Sequence, residues 1–233
     1  MSRFSLRSYE KEQMDDLACS GEELTQTLRE LKTVNKWLGG NYVTTSGLTY
    51  FLKERPKETY KIADIGCGGG DMIRVMFDWS KNQSASFFFE GIDANPNIIA
   101  LARKRNHLPQ TKYVVQNIFD ESFTKEKVDI STCTLFTHHF TDLELVNLLK
   151  ALKKKSEIGI IINDLHRHPL AYYSIKWITH FFSDSPMVKN DAPLSVLRSF
   201  KRKDWQRIFE AAEIKNFSIK WNWAFRWQVY ALF

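Results

Sequence analysis

Cysteine is scarce in this sequence, and long apolar runs are missing from it. The three cysteines, Cys19, Cys67 and Cys133, are widely separated and form no CxxC pair, which argues against a disulfide framework or a cysteine-ligated metal. No apolar run reaches about 18 residues, so we expect no membrane span. Residues 1–12 are polar and lack the apolar core of a secretory signal. We therefore expect a cytoplasmic protein.

The charge balance is moderately basic. The 233 residues carry a formal net charge of +6, and 43% of them are hydrophobic. This composition is typical of a globular protein with one domain, or one domain with a small cap. The basic residues concentrate near predicted helices, where solvated helix faces account for them. We therefore expect neither a nucleic-acid partner nor a membrane partner from charge alone.

The middle of the chain alternates between short apolar strands and amphipathic helices. Such alternation predicts an α/β fold with a parallel sheet covered on both faces. Residues 1–52 have helical spacing, interrupted by Gly39-Gly40, and Pro56 marks a boundary. We therefore divide the chain into an N-terminal helical lid over 1–55 and a main domain over 56–233. Within the latter, 168–200 is predicted to be an inserted helix and loop that covers the substrate.

A glycine-rich turn follows the first predicted strand, Tyr60–Ile65. Its sequence is Asp64-Ile65-Gly66-Cys67-Gly68-Gly69-Gly70, and it lies where a doubly wound sheet binds ligands. The dinucleotide pattern G-x-G-x-x-G fails here, because its third glycine falls on Asp71 or on Ile73. An acid at a helix start repels a bound diphosphate. We expect the amide groups of the turn to face a ligand and Asp64 to favour a cationic amino group.

A second acidic residue, Asp93, ends the next predicted strand in the sequence Gly91-Ile92-Asp93. An acid at this position can accept hydrogen bonds from the two hydroxyls of a ribose. The alternative is that Asp93 caps the following helix. Asn95 competes for that role, because it directly precedes Pro96, a residue suited to the first helical turn.

Together, the 64–70 turn and the acidic strand end at Asp93 resemble the class I S-adenosylmethionine-dependent methyltransferases over roughly residues 60–165. The segment 31–40 also resembles the start of small bacterial UbiE-like members. The resemblance implies a Rossmann-like, seven-stranded, mostly parallel sheet whose last strand is antiparallel, with S-adenosylmethionine as cofactor and S-adenosylhomocysteine as product. It also implies a lid formed by 31–40; a plain amphipathic helix is the alternative.

The resemblance further implies roles for individual residues. The methionine part of the cofactor would contact Asp64 and the turn residues Gly66, Cys67, Gly68 and Gly70, and the ribose would contact Asp93. Ala94, Asn117 and Ile118 would border the adenine, Cys133 would lie beside the sulfonium, and Trp37 would contact the cofactor from the lid. Asn117 departs from the family pattern, because many members have an acid at that position.

Four of the six histidines lie in two loops that follow predicted strands, Thr137–Phe140 and Asp164–His168. Histidine suits proton abstraction from a hydroxyl, so we expect His139 or His166 to be the general base. Arg167 could orient the acceptor. We expect no metal site, because neighbouring side chains of the His138-His139 doublet should diverge.

These patterns favour an O-methyltransferase for an apolar or aromatic small molecule, active as a monomer or homodimer. The alternatives are an RNA or protein methyltransferase and a non-catalytic cofactor-binding protein. The Asn/Asp-Pro-Pro-aromatic motif of amino-group methyltransferases is replaced here by Cys133-Thr134-Leu135-Phe136. That replacement disfavours base-amino and glutamine-amide acceptors. The failed dinucleotide spacing disfavours an NAD-dependent oxidoreductase.

Overall fold

The computed structural model describes residues 3–233, so Met1 and Ser2 of the predicted 1–55 lid lie outside the described residues. Its centre is a seven-stranded sheet of order β3-β2-β1-β4-β5-β7-β6. Strand β7 runs antiparallel to both of its neighbours, and β1 to β5 pair in parallel. The predicted fold class is therefore confirmed. The strands are β1 Thr59–Ile65, β2 Ser86–Asp93, β3 Thr111–Val115, β4 Val128–Thr134, β5 Ser156–Leu165, β6 Phe217–Asn222 and β7 Arg226–Leu232.

Helices cover both faces of the sheet. Alternate residues of β1 point to opposite faces: Tyr60 and Ile62 join the hydrophobic core on one face, whereas Ala63 and Ile65 join the core on the other. The α-helices of the described chain are α1 Gly21–Trp37, α2 Gly40–Glu54, α3 Asp71–Ser80, α4 Pro96–Arg105, α5 Asp142–Lys155, α6 Pro169–Phe182, α7 Pro186–Arg198 and α8 Arg202–Ala211. None of these helices is long and apolar enough to cross a membrane.

The strand order reverses between β1 and β4. Chain connections from β1 lead to β2 and β3 on one side, and those from β4 lead to β5 on the other. The loops that leave the carboxyl ends of β1 and β4 therefore diverge. A crevice opens at that point, and this is where ligands bind in doubly wound sheets.

The first residues are less helical than expected. Between Arg3 and Ser20 the described chain contains only one short 3-10 helix, Gln13–Asp15, and α1 begins at Gly21. This strap, residues 3–20, is fixed by its polar side chains. Arg7 Nη1 donates to Asp142 Oδ1 at 2.6 Å, and Asp191 accepts from the backbone N–H groups of Gln13 and Met14. The predicted helix break is correct, because Gly39 has a left-handed φ of 71°.

The segment after β5 forms two helices, α6 and α7, instead of the predicted helix and loop. Pro193 lies inside α7. An internal proline costs a helix about 3 kcal/mol. Buried side chains on both sides of it, Val188 and Val196, pack with α6, and this burial offsets the cost.

Candidate active site

A cavity of about 520 Å³ lies at the carboxyl edge of the sheet. The loops after β1, β2, β3 and β4 form its floor, and the strap and α1 form its opposite wall. Nine of the expected cofactor and catalytic positions line it: Asp64, Gly66, Cys67, Gly68, Asp93, Ala94, Asn117, Ile118 and His139. The topology thus brings most of the predicted site together.

The glycine turn is held by hydrogen bonds to β2. The backbone N–H groups of Gly66 and Cys67 donate to Ile92 O at 2.8 and 3.0 Å, and Gly68 N–H donates to Asp93 Oδ2 at 3.2 Å. These three donors are satisfied by the protein, so the expectation that the amide groups face a ligand is wrong for Gly66, Cys67 and Gly68. What the turn offers is free space. A Cβ built on Gly68 would have Leu28 Cδ2, at 3.7 Å, as its nearest neighbour.

Gly70 is required for packing, and the structure removes it from the cavity lining. It has a φ of 76° and precedes α3. A Cβ there would lie 2.7 Å from Asn106 Nδ2 and from the Tyr113 hydroxyl, so only glycine allows α4 and β3 to approach this closely. Gly69, which the sequence analysis did not single out, lines the cavity instead.

Two carboxylates face the cavity from the strand ends. Asp64 is 2% exposed and accepts a hydrogen bond from Thr132 Oγ1 at 2.8 Å. Burial raises the pKa of Asp64 to about 7, with a contribution from the nearby Asp93. Burial also raises the pKa of Asp93, whose oxygens accept backbone hydrogen bonds from Gly68 and Asn95. Each oxygen retains a second lone pair for a ligand hydroxyl.

The helix-cap alternative for Asp93 is wrong. Asn95 caps α4, because its side-chain oxygen accepts hydrogen bonds from Asn97 N and Ile98 N at 2.8 and 3.3 Å. Asp93 is therefore left to face the cavity. On the far side of it, Ala94 and Ile118 supply apolar surface, and Asn117 Oδ1 accepts from Phe119 N at 3.0 Å.

Two of the expected cofactor residues lie elsewhere. Cys133 is 1% exposed and belongs to the core beneath α5, because β4 continues for one more residue; Thr134, Leu135 and Phe136 line the cavity instead. Trp37 is 74% exposed. The face of α1 that lines the cavity carries Leu28, Leu31, Lys32 and Asn35, and helical periodicity places Trp37 off that face.

Comparison with known proteins identifies a methyltransferase domain in the chain. The sequence model of the methyltransferase domain family matches residues 62–159, the part of the chain that contains the glycine turn and Asp93. Residues 62–159 therefore form a methyltransferase domain. The match does not distinguish UbiE-like members, so that resemblance stays a prediction. A search of the curated proteins finds no significant match to this chain.

Solved structures share the fold of this methyltransferase. The plantazolicin methyltransferase BpumL in complex with S-adenosylhomocysteine has a TM-score of 0.66 at 17% identity, over 90% of this chain and 93% of that one. Magnesium protoporphyrin IX methyltransferase from Synechocystis PCC 6803 has a TM-score of 0.55 at 14% identity, over 85% and 86%. A methyltransferase from Aquifex aeolicus has a TM-score of 0.58 at 16% identity, over 80% and 87%.

The His138-His139 doublet of the methyltransferase lies in the 3-10 turn Thr137–His139 after β4. His138 is 3% exposed, and its Nδ1 is 2.7 Å from Asp164 Oδ1. His139 lines the cavity, and its Nδ1 is 2.5 Å from Asp15 Oδ1 in the strap. Burial alone would raise the pKa of Asp15 and of Asp164, but the histidine contacts hold both values below their usual range.

His166 and Arg167 lie outside the cavity lining. His166 packs against Trp227 with ring centroids 4.8 Å apart, and burial lowers its pKa to about 4. Arg167 is 1% exposed and donates to Ser199 O at 2.5 Å and Asp204 Oδ2 at 2.9 Å. Its guanidinium is engaged in fixing the strap and α8 to the sheet, so its position does not support acceptor orientation.

The segment predicted to cover the substrate contributes Arg198 to the cavity lining. Arg198 Nη1 donates to Asp15 Oδ2 at 2.6 Å, and its other nitrogens donate to the backbone oxygens of His138 and His139. Sequence reasoning missed Arg198, Asp15 and the neighbouring Glu12. Asp15 lies 124 positions from His139, and no local pattern links residues so far apart.

Proposed function

We propose that this methyltransferase transfers a methyl group from S-adenosylmethionine to an oxygen atom of an apolar or aromatic small molecule. The observation that carries the proposal is the position of His139. It faces the same cavity as Gly68 and Asp93, and its Nδ1 is engaged by Asp15. A histidine held in this way presents Nε2 as a proton acceptor.

The cofactor half of the cavity fits S-adenosylmethionine. Asp93 would accept the ribose hydroxyls, Asp64 would attract the amino group, and Ala94 with Ile118 would border the adenine. The open space at Gly68 allows a ligand to approach the backbone closely. The cofactor supplies a methyl group on a sulfonium, which is already activated, so the protein mainly has to align the acceptor and exclude water.

The remaining lining favours a small apolar acceptor. Phe136, Phe140 and Leu31 face the cavity together with Met14 and Leu17 of the strap. Aromatic and aliphatic walls with few polar groups are typical of small-molecule sites. The strap and α1 also cover the cavity, which leaves less access for an RNA or protein acceptor. In the transfer, the acceptor oxygen gains the methyl group and its proton passes to His139 Nε2.

The test combines binding with turnover. Calorimetry should show binding of S-adenosylmethionine and S-adenosylhomocysteine, with no comparable binding of NAD. A panel of phenols, hydroxylated apolar compounds and short RNAs is then incubated with methyl-labelled cofactor. We expect label in the oxygen of a small hydroxylated compound. Label found only in RNA, or tight binding of NAD alone, would contradict the proposal.

A further inference from the structure

A cluster of metal-ligating side chains lies at the edge of the cavity. One potential ligand atom from each of Glu12, His138 and His139 lies within 4.8 Å of the other two. His138 Nε2 is 3.6 Å from Glu12 Oε1, and His139 Nε2 is 4.0 Å from Glu12 Oε2. The two imidazole rings do not diverge as the sequence suggested, because their centroids lie 4.4 Å apart.

Glu12 has an unsatisfied atom that points into this cluster. The residue is 5% exposed, and its Oε1 is buried without a hydrogen-bond partner in the described chain. Arg198 Nε approaches it only to 3.7 Å, beyond hydrogen-bond distance. A buried carboxylate oxygen left in this state is costly unless something binds it.

Both histidines are oriented as metal ligands usually are. Asp164 engages Nδ1 of His138, and Asp15 engages Nδ1 of His139. A carboxylate on one ring nitrogen fixes the tautomer and leaves the lone pair of the other nitrogen for a metal. Here the two Nε2 atoms approach the same carboxylate, Glu12, from different sides.

The local charge also has room for a divalent cation. Among the described residues, Arg198 is the one permanently charged cation within ion-pair distance of the carboxylates of Glu12, Asp15 and Asp164. When ionised, these three carboxylates carry three negative charges against the one positive charge of Arg198, which leaves two negative charges. A divalent ion would balance them; without it, burial raises the pKa of Glu12 to about 7.

We propose that Glu12, His138 and His139 bind a divalent transition-metal ion of the zinc type. Zinc bonds of about 2.0–2.1 Å in a tetrahedral site place neighbouring ligand atoms roughly 3.3 Å apart. The observed contacts are 3.6 and 4.0 Å, and the three ligand atoms lie within 4.8 Å of one another, so ion binding requires contraction by up to about 1.5 Å. Two imidazoles and one carboxylate leave a fourth position open, as in catalytic zinc sites.

The role of this ion rests on the proposed function, whereas its binding does not. Of the three ligands, His139 lines the cavity and Glu12 and His138 do not, so the ion would reach the acceptor only from the side of the site that His139 shares with the cavity. A metal-bound hydroxyl loses its proton more easily, and the proton would then pass to water. The base role proposed above for His139 Nε2 therefore applies to the ion-free protein; with the ion bound, that nitrogen would be a ligand.

The experiment measures ion binding to the full-length protein. Protein dialysed against a chelator is titrated with Zn²⁺ by calorimetry, and with Co²⁺ while the visible absorption that reports low coordination numbers is recorded. We expect one ion per chain. Glu12→Gln and His139→Gln should each weaken binding by at least about 100-fold, and Asp15→Asn by about 10- to 100-fold. His107→Gln, a change at an exposed histidine, is the matched control and should bind normally.

Thermal melting checks that each variant is folded, and a folded variant is required for the comparison. Absence of stoichiometric binding to the wild type, equal binding by Glu12→Gln and His139→Gln, or equal loss in His107→Gln would each overturn the metal site. So would NMR showing both imidazoles doubly protonated near neutral pH with Zn²⁺ present. S-adenosylhomocysteine binding is measured on the same samples. Cofactor binding without ion binding refutes only the metal site, whereas loss of cofactor binding with and without the ion refutes the proposed function.

Discussion

Replacing Asp93 with asparagine tests the cofactor half of the site. Both oxygens of Asp93 accept backbone hydrogen bonds, from Gly68 N–H at 3.2 Å and from Asn95 N–H at 3.0 Å. An asparagine has only one acceptor oxygen, so its NH₂ group must oppose one of these two donors. A buried donor left unsatisfied costs about 1–3 kcal/mol. For a chain of this size, each kcal/mol lowers the melting temperature by about 2–4 °C.

Cofactor affinity should fall as well. Hydrogen bonds to a charged acceptor contribute about 1.5–3 kcal/mol, against about 1 kcal/mol for a neutral one. Losing the charge opposite the ribose therefore removes about 1–2 kcal/mol, which raises the Kd for S-adenosylhomocysteine roughly 5- to 30-fold. Calorimetry measures the Kd and a thermal melt measures stability. Asp78→Asn makes the same chemical change at an exposed position of α3 and should alter neither quantity appreciably.

A folded Asp93→Asn variant whose Kd stays within about twofold of the wild type would refute the reasoning. The Asp93 carboxylate would then not bind the ribose hydroxyls as proposed, even if the stability of the variant fell as expected. A variant that loses affinity without losing stability would instead show that the asparagine rotates away from Gly68 and Asn95.

Further predictions concern the turn, the histidines and Asp64. Gly68→Val should abolish S-adenosylhomocysteine binding, because φ is 52° and the new side chain would enter the cavity; normal affinity by calorimetry would contradict this. His139→Ala should lower turnover about 10²- to 10⁴-fold with little change in cofactor affinity, whereas His166→Ala should affect turnover much less; the reverse ranking in steady-state kinetics would remove the assignment. S-adenosylmethionine should bind more tightly as pH rises through about 7, because Asp64, whose pKa is raised to about 7, must ionise to attract the amino group. Asp64→Asn should flatten that pH dependence in calorimetric titrations.

The cofactor half was predictable because it is local. The glycine turn, the acid at Asp93 and the Asn95-Pro96 helix start are each encoded within a few residues, and the parallel sheet places consecutive strand ends at one edge. Two residues were wrongly placed in this part of the site, one by a single position along a strand and one on the wrong face of a helix. Cys133 fell into the core because β4 runs one residue further, and Trp37 was placed without regard to which face of α1 turns inward.

The other half of the cavity, where we propose that the acceptor binds, is assembled from segments far apart in the chain. Asp15 of the strap, His139 after β4 and Arg198 at the end of α7 meet through side-chain contacts of 2.5 and 2.6 Å. The strap itself carries little helical or strand pattern, because its structure is imposed by ion pairs such as Arg7–Asp142 rather than by periodic burial. Sequence periodicity reports local burial, so it could not reveal that the acids of the strap cover the histidine doublet.

This division has a consequence for specificity. The proposed cofactor contacts lie at strand ends, whereas the strap supplies Met14 and Leu17 to the cavity lining and Asp15 to His139. Because strap and strand ends are separate segments, substitutions in the strap can change the acceptor pocket while leaving the hydrogen bonds of Gly68 and Asp93 intact. We therefore expect substitutions in the strap, and in the turn that it covers, to change acceptor preference more than cofactor affinity.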